Sequence, residues 1–185
     1  LVFAGADRPL KRKLVTAEYV HGKSGLDGPD LPEPLMPLHE KHAVDFIVES
    51  LLAGAPGEIT LCPLGPLTNI ALALAKAPQI APGIREIVLM GGGFFEGGNV
   101  TPAAEFNIYV DPEAAEIVFA SGIPIVMLPL DVTHKALTTR VRVERFRALG
   151  TKAGIAAAQL LDFFERFDEK KYGTDGGPLH DPNVI

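Results

Sequence analysis

Three short apolar runs constrain the fold of this chain more than any other feature of its sequence. They are EITLCPL at 58–64, REIVLM at 85–90 and IPIVMLPL at 123–130. A strand with one face in water alternates apolar and polar residues, whereas a strand buried on both faces is apolar throughout. The runs therefore predict strands inside a sheet that is covered on both faces.

Helical patterns separate these strands. Apolar residues recur at helical spacing between 39 and 53, and Gly54 follows as a stop signal. The segment LTNIALALA, at 67–75, predicts a second helix that ends before Pro78. Strand and helix thus alternate along the chain, which is typical of a parallel sheet with right-handed crossovers.

A third helix has well-defined start and stop signals. Asp111 is suited to the N-cap, Pro112 to the first helical position and Gly122 to the region beyond the end. Two further helices are predicted at about 141–149 and 152–171. The whole pattern predicts an α/β fold with a mainly parallel central sheet, in a single domain over the 185 residues.

Composition and charge exclude several classes of protein. With 47% hydrophobic residues the chain has enough apolar surface for a core, and its formal charge of −6 is poorly suited to binding the phosphate backbone of a nucleic acid. The densest basic run, at 8–13, is explained by a solvated loop. No apolar run approaches the roughly 20 residues of a membrane-spanning helix, and no leader sequence is visible, so we expect a soluble protein.

The single cysteine excludes an internal disulfide framework and fits a reducing cytoplasm. Cys62 lies in the apolar run ITLCPL, which predicts a buried and unreactive thiol.

The glycine-rich loop after the second strand carries a set of polar residues with two interpretations. Asn99, Glu105 and Asn107 combine a carboxylate with amides, which suits them to sugar hydroxyls. In an extended segment, Glu105 and Asn107 would point to the same side. The other interpretation is that these side chains only hold a long loop in place, and spacing alone favours it.

Two further segments carry candidate functional groups. In the tail HDP, Asp181 is suited to a helix N-cap or a metal ligand, and His180 to a general acid or a metal ligand. The segment VHGKSGLDGP contains His21, Ser24 and Asp27, but no GxSxG turn surrounds the serine, which argues against a hydrolase triad. Loop closure explains these polar residues equally well.

Together, these segments resemble the inosine-uridine-type nucleoside hydrolases. The resemblance runs through AGADRPL, VHGKSGLDGP, LGPLTNIALAL, IVLMGGGFFEGGNVTPAAEFNIYVDPEAA, PLDVTH and HDP, and its most specific part is 91–115. It implies a compact α/β fold with one Ca²⁺ ion, which binds the nucleophilic water and the ribose 2′ and 3′ hydroxyls. Oxygen ligands of the kind present here suit this cation.

The resemblance also implies roles for particular residues. Asp181 and the backbone carbonyl of Leu64 match metal ligands, and Asn99, Glu105 and Asn107 match ribose-binding residues.

Four further positions match the sugar and base side of the family's site. His180 matches the histidine that protonates the leaving base, His21 a residue on the base side, and Met90 a residue beside the sugar. Tyr172 recurs with Phe164 on one face of the last predicted helix, in a region that closes over the base, and is a candidate pocket residue.

The implied activity is calcium-dependent hydrolysis of a ribonucleoside to ribose and free base. GLDGP and PLHDP favour a pyrimidine-preferring or broad enzyme. The substrate is a small molecule, and family precedent indicates a homo-dimer or homo-tetramer.

One departure from the family leaves an alternative open. Its members begin with an aspartate cluster, DxDxGxDD, that supplies further calcium ligands and the base that activates water, and no segment here matches it. We expect the intact protein to be the enzyme, this span to be partial at both ends, and the span alone to be inactive. The alternatives are a catalytically inactive ribose- or nucleoside-binding relative, and a structural fragment in which these loops are remnants.

Overall fold

The computed structural model describes residues 1–173 and 176–185, and it describes the side chains of these residues except at 167–172. The chain divides into two compact units. The first unit comprises Leu1–Leu14, Leu35–Val132 and Asp181–Ile185, and the second comprises Val15–Pro34 and Thr133–His180. The assignment of all 185 residues to a single domain stays a prediction.

Each helix and strand expected from the sequence is present in the structure. The helices are α1 (Glu18–His21), α2 (Ala43–Ala53), α3 (Thr68–Lys76), α4 (Phe106–Val110), α5 (Pro112–Phe119), α6 (Leu130–Thr133), α7 (Arg140–Ala148) and α8 (Lys152–Tyr172). The strands are β1 (Ile59–Leu61), β2 (Ile84–Met90), β3 (Ile125–Leu128), β4 (Leu137–Thr138) and β5 (Gly177–Pro178), and 3₁₀ helices cover Pro78–Gly83 and Asp181–Asn183. In the described part of the chain, no helix combines the length and apolarity needed to cross a bilayer.

The first unit contains a parallel sheet in the order β1-β2-β3. Ile87 of β2 lies opposite Leu61 of β1 on one side and Ile125 of β3 on the other. Parallel neighbours need crossover connections, and here helices supply them. The predicted α/β fold with a parallel sheet is therefore confirmed.

The central strand β2 is covered on both faces, as its apolar sequence predicts. Ile87 and Leu89 belong to the larger apolar core, with residues of α2, α3 and α5. Val88 and Met90 alternate with them and belong to a smaller apolar cluster on the opposite face, with Leu130 and Val184. Side chains that alternate between two apolar environments explain why residues 87–90 are all apolar, whereas Arg85 near the start of the strand is exposed.

The prediction that Cys62 is buried is wrong. The strand β1 ends at Leu61, and the thiol-bearing residue that follows it is exposed. The apolar run ITLCPL extends beyond the strand, and Cys62 and Leu64 in the part after the strand are both exposed.

The second unit is built around the helix pair α7 and α8. Gly150, with a φ of +64°, lies between the two helices, and this left-handed conformation suits a residue without a Cβ. Arg147 Nη2 donates to Asp162 Oδ2 at 2.6 Å and so joins α7 to α8. The strands β4 and β5 form a short antiparallel ladder in the same unit.

Asp111 confirms the predicted N-cap of α5 and also joins distant parts of the first unit. Its side chain accepts hydrogen bonds from the Ala114 amide at 3.2 Å, the Thr68 hydroxyl at 2.6 Å and the Leu10 amide at 3.0 Å. The residue is fully buried. One carboxylate thus connects α5, α3 and the N-terminal segment, and each donor would lose its partner if the carboxylate were removed.

We expect Asp111→Ala to lower the free energy of unfolding by about 2–4 kcal/mol, because a helix cap is lost and buried donors are left without an acceptor. Denaturant unfolding, followed by circular dichroism, measures this. Asp45→Ala is the matched control, since it removes a partly exposed carboxylate paired with Lys76 and should cost less than about 1 kcal/mol. Equal effects of the two substitutions would contradict the role of Asp111.

Candidate active site

The loop between β2 and α4 begins with a tight change of direction at the carboxyl end of the central strand. Gly92 has a φ of +77°, and a Cβ there would lie 3.1 Å from the Met127 sulfur. Its amide donates to Glu105 Oε2 at 2.9 Å. In open α/β sheets, ligands bind beyond the carboxyl ends of the strands, which is where this loop lies.

Glu105 is the buried ionisable group of this loop and the N-cap of α4. It is 3% exposed, and its carboxylate accepts from the amides of Gly92, Asn107 at 3.0 Å and Ile108 at 3.3 Å. The backbone is extended at Glu105 and helical from Phe106, so the extended alternation considered for Glu105 and Asn107 does not apply here. A helix begins at Phe106 because the Glu105 side chain satisfies two of its first amides.

The side chains of the two asparagines bond to the backbone at two places, the start of α4 and the end of β2. Asn99 Oδ1 accepts from the Phe106 amide at 2.9 Å, and Asn107 Nδ2 donates to the Met90 carbonyl at 3.1 Å and lies 3.4 Å from the Met90 sulfur. We call Asn99, Glu105 and Asn107 the carboxylate–amide cluster. Its loop-holding role is confirmed by these bonds. Glu105 and Asn107 still have acceptor capacity beyond these bonds, because carboxylate and amide oxygens carry two lone pairs each.

Burial raises the pKa of Glu105, and the negative charge of Asp181 raises it further. The three backbone amides act in the opposite direction, because they stabilise the ionised carboxylate. Asp181 begins the short 3₁₀ helix Asp181–Asn183, where the sequence predicted a helix N-cap. The first unit therefore holds two carboxylates that repel each other electrostatically.

The candidate metal ligands supply only part of a calcium site. Leu64 follows Pro63, whose carbonyl accepts from the Met90 amide at 3.1 Å, so the chain at Leu64 runs beside the end of β2. The Asp181 carboxylate and a backbone carbonyl are oxygen donors of the type that Ca²⁺ prefers, but the ion takes 6–8 of them. Within the described residues, no three His, Cys, Asp or Glu side chains are grouped closely enough to hold a metal.

Asp131 anchors the other half of the glycine-rich loop. Its carboxylate accepts from the amides of Phe94 at 2.7 Å, Phe95 at 2.7 Å and Glu96 at 3.2 Å, and the Leu130 amide donates to the Gly92 carbonyl at 3.0 Å. These amides, that of Phe94 foremost, hold the pKa of Asp131 below its ordinary value. The start of α6 thus fixes the loop that carries Asn99 and Glu105.

In the second unit, His180 is held by a hydroxyl and by aromatic rings. Its Nδ1 lies 2.9 Å from the Thr133 hydroxyl. The Phe164 ring meets the imidazole ring edge to face, at an interplanar angle of 89° and with centroids 6.1 Å apart. The centroid of the His134 ring also lies 6.1 Å from that of His180. Burial, followed by the charges of His134 and His21, lowers the pKa of His180 to about 4. At neutral pH the imidazole is therefore uncharged and offers one N–H.

His21 ends α1 and stacks on Phe164, with centroids 5.5 Å apart and an interplanar angle of 12°. Phe164 is therefore in contact with both candidate histidines of this unit. A pocket of about 200 Å³ lies here, lined by His21, Gly25, Leu26, Asp27, Leu160, Leu161, Phe163 and Phe164.

The polar residues of the HGKSGLD loop hold its turn. Asp27 accepts from the amides of Lys23 and Ser24, both at 3.2 Å, and from the Ser24 hydroxyl. The serine is therefore bonded to the carboxylate, without an intervening histidine, which agrees with the exclusion of a triad.

One predicted site residue cannot be placed, and three useful ones were missed. Tyr172 is the last residue of α8, but its side chain is not among those that the structure describes. Sequence reasoning did not select Asp131, Thr133 or Phe164 for the site. Spacing put Phe164 on the same helix face as Tyr172, and the other two belong to the PLDVTH segment, but no pattern in that segment identified their contacts.

The comparisons with known proteins all indicate the same family. The profile described as inosine-uridine preferring nucleoside hydrolase matches residues 1–185. The chain is 54% identical over 184 residues to an uncharacterised protein of Schizosaccharomyces pombe, and 52% identical over 185 residues to the pyrimidine-specific ribonucleoside hydrolase RihA of Salmonella arizonae. All of this chain is covered in both comparisons.

A solved structure agrees with these sequences. The purine-preferring ribonucleoside hydrolase from Gardnerella vaginalis superposes with a TM-score of 0.93 and 37% identity over 99% of the chain, which is 59% of that protein. The chain likewise spans 59% of the length of the two curated relatives.

We expect Asp131→Ala to increase the amide hydrogen exchange of Phe94, Phe95 and Glu96 by roughly tenfold or more, because each amide loses a charge-assisted acceptor. Mass spectrometry of the peptide that contains them measures the rate. Asp30→Ala removes an exposed aspartate outside this loop and is the matched control. Unchanged exchange in Asp131→Ala would show that the carboxylate does not hold the loop.

The same bonds should depend on pH in a defined direction. Because the pKa of Asp131 is lowered in the folded protein, its contribution is complete above the ordinary carboxyl pKa of about 3.9 and is lost as the pH falls through the lower folded-state pKa. Protection of these amides, corrected for intrinsic exchange, should therefore fall only in that acidic range.

Proposed function

The chain belongs to the inosine-uridine preferring nucleoside hydrolase family, and on that basis we propose that the full-length protein hydrolyses the N-glycosidic bond of ribonucleosides to ribose and free base, in a calcium-dependent reaction. The observation that carries the proposal is the carboxylate–amide cluster at the end of β2, with the Asp181 charge acting on its buried carboxylate. This is a fixed array of oxygen acceptors and amide groups of the kind that binds sugar hydroxyls.

In the proposed reaction, water adds to C1′ of ribose as the bond from C1′ to the base nitrogen breaks, and a proton derived from water ends on the base. Positive charge develops on the sugar during this step. Glu105 is held in one position by three amides, so its negative charge is oriented before the substrate binds and can stabilise that transition state. Asn99 and Asn107 would orient the ribose hydroxyls.

The proposed calcium ligands in this chain are the Asp181 carboxylate and the Leu64 carbonyl. When bound, the cation would bind the ribose 2′ and 3′ hydroxyls and promote ionisation of water. The electrostatic repulsion between Asp181 and Glu105 supports a cation here, because a divalent ion would offset it. No DxDxGxDD segment is present in the 185 residues, so the remaining ligands and the water-activating base are not assigned to this chain.

His180 is proposed to serve the leaving base. Negative charge accumulates on the base as the glycosidic bond breaks, and an N–H donor stabilises this charge. The lowered pKa means that His180 is neutral at pH 7, so it first acts as a hydrogen-bond donor and not as an imidazolium acid. We assign His21 and Tyr172 to contacts with the base and Met90 to the sugar side.

We also propose a preference for pyrimidine nucleosides. The identity with a pyrimidine-specific hydrolase is 52%, against 37% with a purine-preferring one, so similarity favours the former. The protein is further proposed to act in the cytoplasm as a homo-dimer or homo-tetramer.

We expect protein expressed from the complete reading frame to release ribose from uridine in the presence of Ca²⁺ and to lose this activity with chelator. Glu105→Gln should lower kcat by roughly 10²-fold, because the charge is lost while the size of the side chain is kept. A reducing-sugar assay measures both effects. Glu96→Gln, an exposed glutamate in the same loop, is the matched control and should leave kcat unchanged.

Two results would contradict this assignment. Ribonucleosides that bind in calorimetry but are never cleaved, with any divalent cation, would favour the catalytically inactive binding relative. Activity that survives both chelation and Asp181→Asn would remove calcium from the mechanism.

We expect kcat/KM for uridine and cytidine to exceed that for inosine and adenosine by roughly tenfold or more, which corresponds to about 1.4 kcal/mol of differential transition-state binding. Release of each free base, followed by liquid chromatography, measures the ranking. Equal rates would indicate broad specificity, and faster purine release would overturn the proposed preference.

A further inference from the structure

His180 is brought to its hydrogen-bond partner by strand pairing over a long sequence separation. In the ladder of β4 and β5, Leu137 lies opposite Pro178, and the Leu179 amide extends the pairing by donating to the Ala136 carbonyl at 2.8 Å. The next residue in this antiparallel register is His180. The chain from β5 therefore runs back along the segment that follows α6, toward Thr133, which is the last residue of α6.

The bond between these two side chains is well defined. Thr133 Oγ1 lies 2.9 Å from His180 Nδ1, and Thr133 is fully buried, whereas His180 is only partly buried. A buried hydroxyl must donate its proton to an acceptor or lose a hydrogen bond. Among the described residues, Nδ1 is the acceptor that the structure places within reach of this hydroxyl.

The direction of this bond determines the chemistry of the opposite ring nitrogen. If Thr133 donates to Nδ1, that nitrogen uses its lone pair, and the hydrogen of the neutral ring is on Nε2. The opposite tautomer would leave a lone pair on Nε2, which would repel the electron pair that develops on a departing base. Only the first tautomer offers the leaving group an N–H from Nε2.

The surroundings of the ring limit its rotation as well. Phe164 meets the imidazole edge to face, and Phe164 is itself stacked against His21. The β-branched Thr133 has few rotamers and is packed in the interior. One polar and one aromatic contact thus hold the His180 ring from different elements of the second unit.

We propose that Thr133 is a positioning residue that donates its hydroxyl to His180 Nδ1 and thereby fixes the ring in the tautomer with hydrogen on Nε2. The functional part of this inference rests on the proposed role of His180 toward the leaving base, whereas the tautomer assignment does not. The two parts therefore have separate tests.

The first test reads the tautomer directly and requires no activity. In ¹⁵N-histidine-labelled full-length protein at neutral pH, a long-range ¹H–¹⁵N correlation spectrum should show His180 with hydrogen on Nε2 and an acceptor-type Nδ1, and His180→Gln assigns the signals. Thr133→Ser should keep this pattern, and Thr133→Val should convert it to a mixture of tautomers. A wild-type ring with hydrogen on Nδ1 would overturn the proposal.

The second test separates positioning from folding by means of the leaving group. Thr133→Val keeps the size and branching of the side chain but removes the hydroxyl, so kcat for uridine should fall by roughly tenfold, with KM changed less than twofold. For p-nitrophenyl β-D-ribofuranoside, whose acidic phenol departs without an N–H donor, the rate should stay within twofold. Thr133→Ser should restore the rate on uridine.

The outcomes distinguish this inference from the proposed function. Equal losses on both substrates in Thr133→Val would mean a purely structural role and would overturn the inference, and so would no loss on either. Absence of ribonucleoside hydrolysis in the wild-type protein would refute the proposed function, while the spectrum would still decide the tautomer.

Discussion

The organisation of the proposed ribose side depends on one buried carboxylate. The Glu105 carboxylate accepts hydrogen bonds from three backbone amides, and through these bonds it joins the end of β2 to the start of α4. A buried carboxylate is costly unless it is hydrogen-bonded, so these amides are what allow Glu105 to remain in an apolar environment. The same bonds cap α4 and close the loop. The residue that is proposed to stabilise the transition state is therefore also the residue that shapes the loop, and the two roles share one side chain.

Asp111 and Asp131 repeat this use of a carboxylate in the first unit. Asp111, at the start of α5, accepts from the distant Leu10 amide and Thr68 hydroxyl, and Asp131, at the start of α6, accepts from three amides of the glycine-rich loop. The long glycine-rich loop is therefore fixed by Glu105 on one side and by Asp131 on the other. Because the loop is already ordered, substrate binding would spend less free energy on ordering it, which is the physical basis of preorganisation.

The second unit uses neutral groups for the same purpose. His180 is held by the Thr133 hydroxyl and by the ring of Phe164, and burial lowers the pKa of the imidazole so that it stays uncharged at neutral pH. A neutral ring presents one donor, and its partner at Nδ1 decides which nitrogen carries that donor. Charged acceptors thus characterise the candidate residues of the first unit, and a neutral donor characterises those of the second.

The sequence by itself determined the elements and the family. Apolar runs without alternation defined the parallel strands, capping signals at Asp111 and Gly54 defined helix ends, and the motif over 91–115 selected Asn99, Glu105 and Asn107. These features are local, so they are visible in linear order. Tertiary structure decided the rest. Residue spacing cannot encode contacts between segments far apart in the chain. Such contacts bury Glu105, bring three loop amides to Asp131 and join Thr133 to His180 over 47 positions. The exposure of Cys62 likewise became visible only in the structure.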